Sequence, residues 1–382
     1  MGSNGDSIQR FIKYETFDHI RLWVGNAKQA ASFYCTRLGF KPYAYSGLET
    51  GSREVVSHVV RNKDAIFVFQ SALYPGNAEM GDFLTLHGDG VRDIAFAADD
   101  AEKCYRSAVE RGATPVKEPW TETDKYGSVK MATISLYNGT NHTFVQRNGY
   151  SGFFLPNFTK AEPDPLLEIL PDISINYVDH CVSNQPDNKM VEVCDKYEKI
   201  LDFHRFWSVD DKDIHTKYSS LRSIVMANEE ENVKLPINEP AVGLRKSQIE
   251  EFIDHYGGPG IQHIALNCDN IIEIIKNLRS RGAEFLPTPK SYYDSLRKKL
   301  KDPSLKMNYE IAEDLNDLEK LSILVDYDQN GYLLQIFTKP LQDRPTLFIE
   351  FIQRRNHNGF GAGNFKSLFE SIKREQELRG NL

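Results

Sequence analysis

Short runs in which apolar and polar residues alternate give way, again and again along this chain, to segments where apolar residues return at every third or fourth place. Asp18 to Val24 shows the first pattern and predicts a strand. Ala27 to Leu38 shows the second, with Ala30, Ala31, Tyr34 and Leu38 on one face, and predicts a helix that stops at Gly39. The helix-then-glycine pattern returns at Ala101 to Gly112 and at Ile271 to Gly282, where Arg111-Gly112-Ala113 is matched by Arg281-Gly282-Ala283. Extended stretches follow, such as Ala65-Ile66-Phe67-Val68-Phe69-Gln70 and Ser322-Ile323-Leu324-Val325-Asp326. Strand, helix and several strands therefore make one unit, and four such βαβββ units give an α+β chain whose curved sheets pair into two open β-barrel halves.

The boundaries follow from the same pattern. Residues 12–155 form the N-terminal half, 156–171 a linker containing Pro156, Pro163, Pro165 and Pro171, and 172–364 the C-terminal half. Residues 365–382 form a C-terminal helix, with Leu368, Phe369 and Ile372 on its apolar side, that can act as a lid. Gly359, Gly361 and Gly363 before it are expected to form a flexible hinge.

The repeat carries chemistry in one copy only. Phe17-Asp18-His19-Ile20 returns as Tyr177-Val178-Asp179-His180, and Val91-Arg92-Asp93-Ile94-Ala95-Phe96 returns as Ile261-Gln262-His263-Ile264-Ala265-Leu266. Asn138-Gly139 and the run ending Phe144-Val145-Gln146-Arg147 are answered by Asn330-Gly331 and Leu347-Phe348-Ile349-Glu350-Phe351-Ile352-Gln353-Arg354, with a carboxylate inside an apolar strand. His180, His263 and Glu350 lie 83 and 87 residues apart at equivalent ends of the units, so the fold can bring them to one point. Two neutral imidazoles and a carboxylate are a metal-binding set. In the first half Asp93 replaces the second histidine and Thr143 or a neighbour replaces the glutamate, so that half is expected to be structural.

Composition narrows the partners. A net charge of -8 without a sustained basic face argues against nucleic acid, and Arg297-Lys298-Lys299 reads as a solvated helix face. Five cysteines without a CxxC pair suggest neither a disulfide framework nor a zinc ribbon, and a reducing, cytoplasmic setting is expected. No apolar run is long enough for a membrane span, and Met1-Gly2-Ser3-Asn4-Gly5-Asp6 lacks a signal-peptide core. The sequons at Asn138, Asn141 and Asn157 read as turn chemistry. Asp326-Tyr327-Asp328-Gln329-Asn330-Gly331 begins like a calcium loop, but its twelfth position is Phe337, so a hairpin turn is expected. Gly359-Phe360-Gly361-Ala362-Gly363 follows no βαβ opening and is no dinucleotide loop.

Several longer segments resemble the 4-hydroxyphenylpyruvate dioxygenase family of the vicinal oxygen chelate superfamily. They are Val178-Asp179-His180-Cys181-Val182, Leu235-Pro236-Ile237-Asn238-Glu239-Pro240, Gly260-Ile261-Gln262-His263-Ile264-Ala265, Leu334-Gln335-Ile336-Phe337-Thr338-Lys339-Pro340, Arg344-Pro345-Thr346 and Gly359-Phe360-Gly361-Ala362-Gly363-Asn364-Phe365. The resemblance covers nearly the whole chain. It implies a vicinal oxygen chelate fold and one Fe(II) per chain held by His180, His263 and Glu350. It further implies that an aromatic 2-oxo acid and O2 are converted by oxidative decarboxylation, ring hydroxylation and side-chain migration to homogentisate and CO2, in tyrosine catabolism. By the same resemblance Gln262, Gln335 and Asn238 are catalytic amides, while Ser223, Gln248, Phe337, Phe348, Phe360, Asn364 and Phe365 bind substrate. A homodimer is expected. The alternatives are a 4-hydroxymandelate synthase, against which Phe337 argues mildly, and a non-catalytic binding protein of the same fold.

Overall fold

The computed structural model describes residues 13–137, 139–209, 220–241, 246–302, 305 and 307–380. The N-terminal half runs β1 (Tyr14–Trp23), α1 (Ala27–Leu38), β2 (Lys41–Ser46), β3 (Val55–Asn62), β4 (Ala65–Ala72), α2 (Ala78–His87), β5 (Gly90–Ala98), α3 (Ala101–Glu110), β6 (Thr114–Asp124), β7 (Gly127–Tyr137), β8 (Thr140–Arg147) and a short β9 (Thr159–Lys160). The C-terminal half runs β10 (Val178–Asn184), α4 (Met190–Leu201), β11 (His204–Val209), β12 (Ser220–Ala227), β13 (Lys234–Ala241), α5 (Gln248–Tyr256), β14 (Gly260–Asn267), α6 (Ile271–Ser280), α7 (Lys290–Leu300), α8 (Leu315–Leu321), β15 (Leu324–Tyr327), β16 (Tyr332–Phe337), β17 (Phe348–Arg355) and α9 (Phe365–Arg379).

Among the described residues the strands form two sheets, ordered β6-β7-β8-β5-β1-β4-β3-β2-β9 and β11-β12-β13-β10-β14-β17-β16-β15. Leaving β9 aside, the two orders are mirror readings of one topology. In each, the opening strands of two units pair antiparallel at the centre, as β1 with β5 and β10 with β14. Each central strand then pairs in parallel with the last strand of its own unit: β1 with β4, β5 with β8, β10 with β13 and β14 with β17.

Side chains alternate across these strands. Ile20, Leu22, Ile94, Phe144, Ile264, Leu266, Leu334, Ile336, Ile349 and Phe351 face one apolar core that both halves share with the buried sides of α1, α3, α4 and α6. The opposite, concave face of the first sheet carries Val59, Val68, Ala95, Met131 and Val145, packed with Phe154 and Leu155. That of the second carries Phe337 and Phe348, packed with Leu286, Leu324 and Leu368 of α9.

The repeat is also visible in how the helices are tied down. Asn26 and Asn270 cap α1 and α6 by accepting from Gln29 N and Glu273 N. Gln146 at the end of β8 accepts from Ala101 N of α3 at 3.2 Å, and Gln353 at the end of β17 accepts from Ile271 N of α6 at 2.9 Å. These bonds satisfy N–H groups that a helix start otherwise leaves open.

Three sequence expectations change. In the fourth unit α7 and α8 intervene between helix and strands, so Ser322 is not extended but caps α8 with φ 65°. Asn141 lies inside β8 and is buried, so its sequon is strand and not turn, while Asn157 does sit in a loop at φ 69°; Asn138 lies outside the described residues. The helices α3 and α6 end at Glu110 and Ser280 with Gly112 and Gly282 just past the last turn at φ 109° and 83°, as expected. Finally, Gly361 has φ 76° and a Cβ there would collide with the Gln335 amide, so its role is close approach of the tail to β16 and not looseness alone. The Asp326 stretch is the expected hairpin: β15 and β16 pair antiparallel, and Asp328 Oδ1 accepts from Asn330 N and Gly331 N. All five cysteines are buried and free. No described helix is long and apolar enough to cross a membrane.

Candidate metal centre

His180, His263 and Glu350 come from the three adjacent strands β10, β14 and β17. In register, His180 and Glu350 both pair with Ala265, from opposite sides. His263, two residues before Ala265, therefore points to the same face. The small side chain of Ala265 leaves room between the flanking histidine and glutamate. All three potential ligands are buried, and one ligand atom from each lies within 4.8 Å of the others. Both imidazole Nε2 atoms stand 3.3 Å from Glu350 Oε2. The edge of an octahedron with bonds of about 2.1 Å is about 3 Å long, so both nitrogen–oxygen separations suit neighbouring positions around one cation.

Each histidine is oriented from behind. His180 Nδ1 donates to Asp179 Oδ1 at 2.8 Å and His263 Nδ1 donates to Gln262 Oε1 at 3.1 Å, which leaves both Nε2 lone pairs directed at the centre. Asp179 in turn accepts from Arg354 Nε at 2.9 Å and Nη2 at 2.7 Å. Burial alone raises the Asp179 carboxyl, but Arg354 and His180 outweigh it and hold the pKa well below the usual range. Burial likewise pushes Glu350 up and His180 down. Their mutual attraction reverses both, so Glu350 is held ionised and His180 is drawn upward, with Asp179 adding to the latter. For His263, burial prevails and the pKa falls. A buried carboxylate shared by two imidazoles has the donor chemistry to hold a cation.

Around this centre the apolar walls are aromatic. Phe348 stacks on His263 at 4.8 Å between ring centroids, Phe337 meets it edge-on at 5.9 Å, and Phe360 meets His180 edge-on at 5.1 Å. Polar groups on the same concave face follow from register. Ser223 pairs with Asn238, Asn238 with Asn184, and Gln335 precedes Phe337, which pairs with Glu350. Gln248 at the start of α5 joins Gln262 and Phe348 in a cleft beneath α9. Asn364 Oδ1 accepts from Tyr292 Oη at 2.8 Å where the tail turns into α9. Phe365 opens α9, and its side chain lies outside the described residues. The helix is fastened over the cleft by Arg379, which donates twice to Glu251 of α5 at 3.0 and 2.9 Å, and by Ser371, which donates to Pro287 O at 2.7 Å.

Three residues escaped the sequence reading. Asp179 and Arg354 had been visible only as parts of the repeated Asp-His and Gln-Arg pairs. Asn184 gave no signal beyond lying on the strand of His180. It is fully buried, and neither amide atom has a hydrogen-bond partner among the described residues. Gln335 Oε1 and Gln248 Oε1 are in the same condition. Buried amides without partners mark a surface shaped for a polar ligand.

Fold and sequence together define a member of the glyoxalase/bleomycin resistance protein/dioxygenase superfamily, whose family model matches residues 16–132 and 177–305, with a candidate metal site at His180, His263 and Glu350. Within it the relatives are specific. The chain is 60% identical to the 4-hydroxyphenylpyruvate dioxygenase of Danio rerio over 97% of this chain and 93% of that one. It is 58% identical to that of Dictyostelium discoideum over 96% and 100%. A solved structure of a mutant 4-hydroxymandelate synthase from Streptomyces coelicolor superposes with a TM-score of 0.81 at 30% identity, covering 95% of this chain and 99% of that one. The chain belongs to the 4-hydroxyphenylpyruvate dioxygenase family.

Proposed function

We propose that the C-terminal half is a mononuclear Fe(II) centre held by His180, His263 and Glu350, and that the chain converts 4-hydroxyphenylpyruvate and O2 to homogentisate and CO2. The observation that carries this reading is the meeting of two Nε2 atoms at one carboxylate oxygen, over Ala265, in a chain 60% identical to a 4-hydroxyphenylpyruvate dioxygenase. Bound ferrous iron would supply dioxygen activation, with the 2-oxo acid as the source of electrons.

The protein's part is positioning and exclusion. Asp179 and Gln262 keep the Nδ1 protons of the two histidines in place. Phe337, Phe348 and Phe360 enclose an aromatic ring. Asn238, Gln335, Ser223 and Gln248, with Asn184 beside them, offer neutral hydrogen-bond groups, which suit a phenol that stays protonated. Asn364 and Phe365 lead into α9, which closes the cleft and keeps water from the reacting centre. The five buried free cysteines support a reducing, cytoplasmic setting, and resemblance to the family supports a homodimer and a place in tyrosine and phenylalanine breakdown.

Likeness to the mandelate synthase gives the second reading, hydroxylation of the benzylic carbon of the same substrate. Identity twice as high to the dioxygenases favours the first. The test is anaerobic loading with Fe(II), then addition of 4-hydroxyphenylpyruvate and O2 with products separated against standards. Homogentisate with matching CO2 is the expected result, whereas 4-hydroxymandelate would move the assignment to the synthase. A folded, iron-loaded sample without oxygen uptake would leave a binding protein.

A further inference from the structure

The N-terminal half repeats the topology of the metal centre and places a cation of its own in it. His19 matches His180, Asp93 matches His263, and the parallel register of β5 with β8 makes Thr143 the counterpart of Glu350. Arg21, where the second half has Val182, turns its guanidinium into this set. Nη2 lies 3.3 Å from His19 Nε2 and Nη1 lies 3.5 Å from Asp93 Oδ2, while Thr143 Oγ1 donates to the same oxygen at 2.7 Å.

Above Arg21 the concave face keeps a cavity of about 530 Å³, within the size range of small-molecule sites. Its walls include Trp120, Phe154 and Phe158. Lys117 stands at the mouth with its ammonium 3.6 Å from the Trp120 ring centroid, and it makes no salt bridge among the described residues. Burial lowers its pKa, against the attraction of nearby Glu122, and Arg21 adds to the lowering. The one acid of the lining, Glu122, accepts from the Trp120 indole N–H at 3.0 Å. Neutral polar groups, Ser57 bonded to Gln70 at 2.9 Å, lie on another wall.

We propose that this cavity is a second small-molecule site, which binds an aromatic carboxylate with its ring against Trp120, Phe154 and Phe158 and its carboxylate on Lys117 and Arg21. The proposal stands on the residues of the N-terminal half and does not depend on the reaction of the other. Two sources share the chemistry, an arylpyruvate such as the substrate and an arylacetate such as the product.

The test is calorimetric titration of the full chain, stripped of metal and carrying His180→Ala to disable the other site, with 4-hydroxyphenylpyruvate and separately with homogentisate. Saturable binding of one equivalent is expected, weakened at least about tenfold by Lys117→Met through loss of a charge-assisted contact, weakened also by Trp120→Leu, and left alone by Phe337→Ala. Tighter binding of the pyruvate marks the substrate as occupant, and the reverse marks the product. Lys117 is at the mouth, so its substitution does not threaten the fold. The proposal is overturned by a lack of saturable binding at millimolar ligand, by unchanged affinity in both Lys117→Met and Trp120→Leu, or by loss of binding in Phe337→Ala.

Discussion

The two halves share strand order, helix anchors and even the layer behind the histidine, yet among the described residues only one offers a set of donor atoms for a metal. Asp18 accepts from His19 Nδ1 at 2.7 Å and is gripped by Arg147, just as Asp179 serves His180 and is gripped by Arg354. Phe154 and Phe360 lie edge-on to the two histidines, and each is approached by the arginine of its own half. The difference lies in three substitutions. Arg21, Asp93 and Thr143 stand where Val182, His263 and Glu350 stand, and together they form a polar set whose positive charge belongs to the protein. Geometry alone does not make a metal site; the arrangement must also lack an internal cation and offer unprotonated donors.

The largest effect should separate the halves by metal content. Glu350→Ala removes the oxygen on which both imidazoles converge, and loss of the several kcal/mol that a metal contributes to catalysis predicts turnover down about a thousandfold or more. Thr143→Val, its counterpart, costs about 1 kcal/mol of stability for one lost hydrogen bond and leaves bound metal unchanged. Metal analysis, oxygen uptake and thermal melting on the two variants check this. Full activity in Glu350→Ala would end the assignment of the centre.

A histidine one residue from that pair tests the opposite face. His142 precedes Thr143, and its counterpart is Ile349. It is buried in the shared core, with Nδ1 donating to Ile94 O at 3.2 Å and Nε2 accepting from Tyr197 Oη of the other half at 2.8 Å. Burial pulls its pKa down to about 4, below its ordinary value. The unfolded chain therefore takes up this proton first as pH falls. The neutral imidazole contributes its full stability above pH about 6.5 and loses it by about pH 4, a change of about 3 kcal/mol. His142→Gln should flatten the chemical-denaturation stability curve over that window by about this amount, and an unchanged curve would mean that His142 is not held neutral.

Next in size come the oriented carboxylates. Asp179→Asn or Arg354→Met should weaken metal affinity about 10- to 100-fold, the usual cost of losing the partner that fixes a ligating histidine. Asp18→Asn or Arg147→Met should leave metal affinity untouched and lower stability alone. Equilibrium dialysis with Fe(II) or Co(II) distinguishes the two outcomes without reference to turnover.

The sequence shows the frame of this comparison because duplication writes itself as repeated strings. The pairing of His180, His263 and Glu350 could be read from equivalent positions before any strand was placed. Helix α1 was legible to the residue, since its apolar spacing runs to Leu38 and Gly39 is a strong stop signal. What stayed hidden depends on register and on approach between distant segments. Arg21 gives no sign in sequence that it enters the set of His19 and Asp93. Asn184 becomes notable only beside Asn238, and Gly361 only because the Gln335 amide occupies the space a side chain would need. Of α7 only the solvated face at Arg297-Lys298-Lys299 was legible, and α8 was missed because an insertion within the fourth unit leaves the repeat on either side intact.

The smallest effect concerns what covers each concave face. In the first half Phe154 and Leu155 are built into the apolar filling, whereas in the second α9 lies over the cleft and is held by a few polar ties. Chief among these is the paired donation of Arg379 to Glu251, a carboxylate almost without solvent contact. Charged hydrogen bonds at a partly exposed edge contribute about 1 kcal/mol, so Arg379→Met should speed hydrogen exchange of the α9 amides by about fivefold. It should also raise the KM for substrate by a similar factor, with little change in kcat, while exchange in β8 and in the segment around Phe154 stays as it was. Equal acceleration in both halves would show that Arg379 supports the molecule as a whole. Acceleration confined to α9 would show that the C-terminal half keeps a cover that opens, while Phe154 and Leu155 stay packed in the other half.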